Sequence, residues 1–327
     1  MSVAEIDEER SAPAAGRRRS SRELTPNERR RRRRDARTAW ALLAPAIVLL
    51  AVMVGYPGVT MVTNSFTDVT IKNKMLDIPA NFVWFDNYVR VLTSSDFPIV
   101  LLRSLLLMAV MTGLIMLGGT LIAILMTRLS RGFRLLVAVG LLLAWSMPPL
   151  SSTVVFSWIF DTQYGVINAV LNWATRSEDF TNHSWLMNPF SFFTVLTIIV
   201  VWMGIPFVAF TIYAALGQVP GEVLEAASLD GAGGFARFRL VIFPYLRPVV
   251  MVVFILQVIW NMRIFTQVFA LQGRGGTPSE TNVLGTYMFR LGADDFGMTG
   301  AIGVLMVIIL MLISWGYIRS TLKEEEK

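Results

Sequence analysis

The 327-residue chain contains no cysteine, and His183 is its only histidine. The absence of thiols excludes disulfides, thiolate metal ligands and cysteine nucleophiles. A single histidine gives little support to a histidine-ligated metal centre or to a histidine-based nucleophilic pair. Charge is also scarce, because 16% of the residues are charged whereas soluble domains carry about 25%. The composition disfavours a membrane-embedded enzyme, predicts no metal site, and indicates that lipid surrounds most of the chain.

The chain also lacks the G-x-x-x-x-G-K-[ST] loop with which many ATPases bind phosphates. The segment Gly273-Arg274-Gly275-Gly276 is rich in glycine, but it has neither the lysine nor a strand-to-helix context. The segments between the apolar runs are too short to form a sizeable folded domain. We therefore predict that the chain is not an enzyme and binds no cofactor of its own.

Six apolar runs are long enough to cross a bilayer, which takes about 20 residues. The pair Pro148-Pro149 in the third run predicts a kink or local unwinding. No run contains aspartate or glutamate, which disfavours an ion-coupled secondary transporter or a channel. We expect an all-α membrane protein with six transmembrane helices, at Ala39–Val62, Val100–Thr127, Phe133–Phe160, Phe190–Leu216, Val249–Ala270 and Met298–Ile318.

Basic residues are concentrated at the N-terminus, where 12 of the 29 precede Thr38 and six consecutive arginines run from Arg29 to Arg34. Residues 1–38 are predicted to be a disordered cytoplasmic leader held near anionic lipid, rather than a nucleic-acid-binding arm. With the N-terminus inside, 21 basic residues face inward and seven outward, so both termini are expected in the cytoplasm. Residues 39–320 then form the six-helix domain, and 321–327 a charged cytoplasmic tail.

Residues 218–248 (hereafter the 218–248 loop) are expected to form a polar, glycine-broken cytoplasmic connection between the fourth and fifth spans. Pro220 suits the first turn of a short helix, and Glu225 lies near the end that the helix dipole makes positive. Asp230-Gly231 is expected to end this helix, with Gly231 in a left-handed conformation. A second short helix then precedes Pro244. These features fit either an amphipathic connector resting on lipid headgroups or a docking element for another protein.

The spacing within this loop resembles the EAA loop of ABC-importer permeases, which reads E-A-A, three residues, G, nine residues, I, any residue, L-P. Glu225-Ala226-Ala227, Gly231 and Pro244 match in register, while Val241 and Phe243 replace isoleucine and leucine. Other segments are similar to carbohydrate-type permeases of the maltose and glycerol-phosphate kind. Among them are Leu43–Ala46, Phe82–Tyr88 and Gly275–Thr281.

The resemblance implies a type I ABC importer permease fold in a multi-pass protein of the bacterial plasma membrane. The implied function is that of the permease subunit of an ATP-driven, binding-protein-dependent importer for a sugar or oligosaccharide. An importer for a non-sugar solute is the alternative, and an ion-coupled transporter a weaker one. The implied partners are a cytoplasmic ABC ATPase dimer that holds ATP and Mg, a second homologous permease subunit, an extracytoplasmic substrate-binding protein and membrane lipid. The residues implied to couple to the ATPase are Glu225, Ala226, Ala227, Asp230, Gly231 and Pro244.

The fifth span also contains an unusual group of polar side chains. On one continuous helix they would lie within an arc of about 160°, with Phe265 outside it. Amides together with an indole suit a sugar, whose hydroxyls need donors and acceptors and whose C–H face stacks on aromatic rings. The alternative is that they hydrogen-bond a neighbouring helix or a partner subunit. We refer to the group as the polar set, and it comprises Gln257, Trp260, Asn261, Arg263 and Gln267.

Overall fold

The computed structural model describes the backbone of residues 26–231 and 233–325, and the side chains of residues 37–316 and 319 apart from residue 232. Within these ranges the regular elements are all helical, and two isolated β-bridges join Thr67 to Phe82 and Thr70 to Asp295. The chain divides into two units, residues 1–59 and residues 60–327. The expected all-α architecture is confirmed for the described residues.

The first unit is described from Pro26 onward. It contains α1 (Pro26–Leu50), a π-helical turn (Ala51–Gly55) and the start of α2 (Tyr56–Ser65). Residues 1–25 of the predicted leader lie outside the described residues, whereas its last residues, 26–38, are helical rather than disordered. The segment Arg37–Ser65 is long and apolar enough to cross a membrane, and its most apolar stretch is entirely unburied.

The second unit holds the remaining helices. Four of them have 20 residues or more and form its framework: α5 (Asp96–Arg128), α9 (Pro189–Leu216), α12 (Phe243–Met262) and α16 (Phe296–Glu325). The shorter helices are α3 (Ile71–Met75), α4 (Asp86–Thr93), α6 (Arg131–Ser146), α7 (Pro149–Ile159), α8 (Val166–Thr175), α10 (Gly221–Leu229), α11 (Gly234–Arg237), α13 (Thr266–Gln272), α14 (Pro278–Thr281) and α15 (Leu284–Leu291).

Five segments of the described chain are long and apolar enough to cross a membrane, and a sixth is present if α6 and α7 together count as one span. These two helices meet at a bend of 103° next to Pro148-Pro149. The expected kink is confirmed, but Phe133–Phe160 is not a single continuous helix. Proline at this position lacks the N–H that would continue the helical hydrogen-bond ladder, and α7 starts afresh from Pro149.

The fifth predicted span differs from the structure at both ends. The candidate span runs over Gly234–Gln272, 39 residues, and so begins well before the predicted Val249. It is also interrupted, because α12 ends at Met262 and α13 begins at Thr266. Phe265, at the interruption, has φ −136° and ψ −60°, outside the helical region. The polar set is therefore distributed over the end of α12, a break and the start of α13.

Helix α5 packs along α9 and forms the centre of the second unit. A Cβ atom added to Gly119 would lie 2.6 Å from Cβ of Val208, so the two backbones approach closely because Gly119 has no side chain. Around this contact lies a cluster of fully buried apolar side chains, among them Met111, Ile115, Val195, Leu196 and Ile199.

Helix α5 is also tied to the segment that follows α13. The guanidinium of Arg103 donates from Nη1 to the carbonyl oxygen of Asn282 over 2.8 Å. One residue later, Ser104 Oγ accepts a hydrogen bond from the backbone N–H of Leu284 at 2.9 Å. Both contacts hold the chain after α13 against α5, and α12–α13 is thereby positioned beside the α5–α9 pair.

Candidate functional site

Helix α10 carries the EAA segment and has the predicted boundaries. It begins immediately after Pro220 and ends at Leu229, with Asp230 as its C-terminal cap. The N–H of Asp230 bonds the carbonyl oxygen of Ala226 over 3.0 Å. Gly231 follows with φ +73°, the left-handed conformation expected for it and one that side-chain-bearing residues adopt at a cost. The sequence thus determines both ends of this helix.

The surface of α10 is mostly open. Ala227 is buried, whereas Glu225, Ala226, Asp230 and Gly231 are exposed. Arg237 donates from Nη1 to Ser228 Oγ over 2.9 Å, which joins α11 to the last turn of α10. Two large apolar side chains nearby are also exposed, Leu229 at 89% and Phe235 at 77%. The loop therefore presents small, acidic and apolar groups together on the exposed surface of α10 and the residues that follow it.

The predicted second short helix does not stand apart from the next span. After α11, a π-helical turn over Phe238–Ile242 leads directly into α12. Pro244 is exposed and lies in the first turn of α12, directly after this π-helical turn. The helix that leaves the 218–248 loop therefore continues without a turn into α12, whose far end carries the first members of the polar set.

A cavity of about 390 Å³ lies where α6, α9 and the α12–α13 break meet. Helix α9 contributes Val200, Met203, Gly204 and Phe207, and α5 contributes Ile115. The joint between α6 and α7 contributes Trp145, Met147 and Pro149. The remaining lining residues lie at the α12–α13 break, and they are Gln257, Trp260, Asn261, Arg263, Ile264, Phe265, Thr266 and Gln267.

All five members of the polar set line this one cavity. The continuous arc predicted for them is wrong, because the helix is interrupted after Met262 and Gln267 belongs to the next helix. Phe265, expected outside the arc, lines the cavity for the same reason. The break turns the chain at Arg263–Phe265, so residues from two helices converge on one space.

The polar set is only partly engaged in hydrogen bonds. Asn261 is buried and donates from Nδ2 to Thr112 Oγ1 over 2.9 Å. Gln267 Nε2 lies 4.0 Å from the sulfur of Met203, a weak acceptor. Gln257 is 1% exposed, and among the described residues its Nε2 has no hydrogen-bond partner. Thus Asn261 hydrogen-bonds a neighbouring helix, as the packing alternative expected, while the amide nitrogen of Gln257 hydrogen-bonds no described residue.

Aromatic side chains form one wall of the cavity. The ring centroid of Phe207 lies 5.1 Å from that of Trp260 and 6.5 Å from that of Trp145. Sequence reasoning identified Trp260 but missed Phe207 and Trp145. The available signal was their position beside proline, since Phe207 follows Pro206 and Trp145 lies just before Pro148-Pro149.

No group of three or more histidine, cysteine, aspartate or glutamate side chains suitable for a metal ion occurs among the residues that the structure describes. The lone His183 instead packs edge-on against Trp185, with ring centroids 4.7 Å apart. The described chain thus offers an open cavity and an exposed helix as its two candidate sites.

Comparison with known proteins gives matches over most of the chain. A family described as "Binding-protein-dependent transport system inner membrane component" matches residues 119–319. The diacetylchitobiose uptake system permease protein DasB of Streptomyces coelicolor is 38% identical over 292 residues, which cover 88% of this chain and 87% of that protein. The sulfoquinovosyl glycerol transport system permease protein SmoG of Agrobacterium fabrum is 30% identical, over 87% of this chain and 90% of that protein.

The fold has a solved counterpart. A chain of a bacterial ABC transporter involved in the import of the acidic polysaccharide alginate superposes with a TM-score of 0.74. The match covers 90% of this chain and 99% of that chain, at 19% sequence identity. At this identity the likeness establishes the architecture alone.

Proposed function

Because the chain belongs to the binding-protein-dependent transport system inner membrane components, we propose that it conducts a sugar or oligosaccharide through the membrane as the permease subunit of an ATP-driven importer. The observation that carries the choice of solute is the cavity. It combines amide groups, which match sugar hydroxyls, with indole and phenyl rings, which suit the apolar faces of a pyranose. The polar set is proposed to line the substrate path.

The named relatives support the same class of solute. DasB is described as belonging to a diacetylchitobiose uptake system and SmoG to a sulfoquinovosyl glycerol transport system. The similarity of each covers more than four-fifths of this chain. A saccharide is therefore favoured over an amino acid, peptide or phosphate, and we propose no single sugar.

The EAA segment is proposed as the contact with a cytoplasmic ATPase. The proposed coupling residues are Glu225, Ala226, Ala227, Asp230 and Gly231 on α10, together with Pro244. Helices that rest on lipid headgroups carry basic polar faces, whereas α10 has two acidic residues and no basic one. Exposed acids beside anionic lipid would be repelled, which favours a protein partner over a lipid surface for this helix.

The same proposal names the rest of the machinery. ATP and Mg would bind a separate ABC ATPase dimer, and this chain would supply no catalytic residue. A second homologous permease subunit would complete the pore, and an extracytoplasmic binding protein would deliver the solute. Residues 39–320 would form the membrane domain between an arginine-rich leader and a short charged tail, with both termini in the cytoplasm and lipid around the spans.

The experiment that tests this proposal starts from affinity purification of the tagged chain in mild detergent. We expect a Walker-motif ATPase and a second multi-span membrane protein to co-purify with the wild-type chain. Glu225→Lys should retain the second membrane subunit and lose the ATPase, because a reversed charge enters the docking surface. Glu222→Lys, one turn earlier on the same helix, is the matched control for a general effect of added positive charge.

Uptake is then measured with the recovered partners in proteoliposomes. ATP-dependent uptake from a sugar panel, with no uptake of amino acids or phosphate, supports the sugar importer. Uptake of a non-sugar solute alone would replace the substrate class while retaining the importer. A chain that purifies alone and transports without ATP would contradict the proposal as a whole.

A further inference from the structure

The charge in the cavity is unbalanced. Among the described residues that line it, Arg263 is the only one with a charged side chain, and none of them is acidic. The guanidinium has no hydrogen-bond or ion-pair partner within residues 37–316, where the one salt bridge found joins Arg90 to Asp295. Arg263 is exposed and is one of the residues that line the cavity. A fixed positive charge thus lies unneutralised beside the proposed solute path.

A second unpaired donor lies in the same cavity. The side chain of Gln257 is 1% exposed, and its Nε2 makes no hydrogen bond to any described residue. A buried amide left unsatisfied costs about 1–3 kcal/mol, and a ligand that accepts from it removes that cost. The Nε2 atom has almost no accessible surface, so a ligand reaches it only when the side chain turns toward the cavity that Gln257 lines.

Further donors lie in the rest of the site. The indole of Trp260 can only donate, and about half of this side chain is exposed. The amide nitrogen of Asn261 is already used by Thr112. The donors left for a ligand include the guanidinium of Arg263, the amide of Gln257 and the indole of Trp260. A carboxylate pairs with a guanidinium through two parallel charge-assisted bonds, which a plain hydroxyl cannot form, and an amide carbonyl accepts through two lone pairs.

We propose that the cavity selects saccharides bearing a strong acceptor substituent, a carboxylate or an acetamido carbonyl, which Arg263 and Gln257 bind, and that it rejects cationic amino sugars. The inference rests on the proposed function, since it assumes that the saccharide passes through this cavity. The guanidinium attracts an anion and repels an ammonium group that enters the cavity. Of the two acceptors, the carboxylate gains more because it also neutralises the charge.

The test uses β-1,4-linked disaccharides that differ mainly in one substituent. These are cellobiose with hydroxyls, N,N'-diacetylchitobiose with acetamido groups, cellobiouronic acid with a carboxylate, and chitobiose with amino groups, protonated at mildly acidic pH. Each is titrated calorimetrically into the complex purified through this chain, without the extracytoplasmic binding protein, so that only the selectivity of the membrane part is measured. We expect the carboxylate and acetamido sugars to bind at least about tenfold more tightly than cellobiose, and chitobiose to bind more weakly than cellobiose.

Matched variants then assign the selectivity to residues. Arg263→Gln keeps a donor of similar reach but removes the charge. Cellobiouronic acid and cellobiose should then bind with about equal affinity, so that the carboxylate loses about 1.4 kcal/mol of its binding preference. Gln257→Leu should reduce the preference for diacetylchitobiose. Arg274→Gln removes an exposed arginine outside the cavity lining and should leave both ratios unchanged. Arg263→Lys keeps the charge and should retain most of the carboxylate preference.

The outcomes separate this inference from the proposed function. Equal binding of cellobiose and cellobiouronic acid by the wild-type complex would overturn the inference and leave the sugar importer intact. Equal losses in Arg263→Gln and Arg274→Gln would overturn it too, since the effect would then come from overall charge. If no disaccharide binds an intact complex, the selectivity proposed for this cavity is contradicted, and the uptake panel decides the sugar class separately. Should Arg263→Gln not assemble, the wild-type series together with Arg263→Lys still decides the question.

Discussion

The amide of Asn261 donates a hydrogen bond to the hydroxyl of Thr112 over 2.9 Å and joins α12 to α5. Both side chains are buried, yet only Asn261 lines the cavity. One residue thus combines the two roles that the sequence left as alternatives, since it packs against a neighbouring helix and also contributes to the cavity wall. The two roles can be separated by mutating each partner.

We expect Asn261→Ala and Thr112→Val to destabilise the protein by similar amounts, about 0.6–1.7 kcal/mol, because each removes the same interhelical bond. Only Asn261→Ala changes the cavity wall, so only this variant should also weaken uptake or raise the KM for the solute. Thermal unfolding in detergent and proteoliposome uptake measure the two effects. Equal loss of uptake in Thr112→Val would mean that Asn261 acts through packing alone.

A second prediction concerns the turn that ends α10. Gly231 has φ +73°, and a β-branched residue in this conformation costs roughly 1–3 kcal/mol. Gly231→Val should therefore distort the end of α10 and reduce recovery of the ATPase with the tagged chain. Gly221→Ala is the matched control, because an added Cβ at either glycine meets no described atom within 4 Å and only Gly231 has positive φ. Normal ATPase recovery with Gly231→Val would contradict a docking role for this turn.

The predicted topology can be read by thiol labelling, because the chain has no cysteine of its own. Tyr164 and Leu229 are almost equally exposed, at 87% and 89%, but are predicted on opposite sides of the membrane. A membrane-impermeant maleimide should label Tyr164→Cys in intact cells, and Leu229→Cys only after permeabilisation. The reverse pattern would place the 218–248 loop outside the cell and exclude an ATPase contact there.

A pH dependence is expected at the end of α7. The carboxylate of Asp161 accepts hydrogen bonds from the backbone N–H groups of Tyr164 and Gln163, both at 2.9 Å. These bonds lower the pKa of Asp161 below its ordinary value, with the Tyr164 bond the largest cause. A lowered pKa in the folded state stabilises the turn above the unfolded value of about 4, and this contribution is lost as the pH falls through the folded value.

The protection factor of the Tyr164 amide, which compares its exchange rate with that of an unstructured amide at the same pH, should therefore fall on acidification below about pH 4. In Asp161→Asn the side chain keeps one acceptor oxygen but cannot gain a proton in this range. The acid-dependent loss of protection should be absent from this variant. An identical pH profile in both proteins would show that another group controls the turn.

Features that depend on local chemistry can be predicted from the sequence. Apolar runs near 20 residues identified the membrane segments, Pro148-Pro149 identified the sharp bend, and Gly231 identified the end of α10, because each follows from the solvation or backbone preference of a few neighbouring residues. The polar set was also evident, since amides and an arginine in an apolar run are costly unless they face a cavity or a partner.

How these helices and side chains come together is evident only from the tertiary structure. The break between Met262 and Thr266 contains no proline or glycine, so the local sequence does not predict it. It is evident only in the folded structure, where α12 ends and α13 begins. Trp145 and Phe207 are 62 positions apart in the chain, yet their rings stack at the cavity wall. Hydropathy and helical periodicity are properties of one stretch at a time, whereas a cavity is made by side chains from helices that only packing brings together.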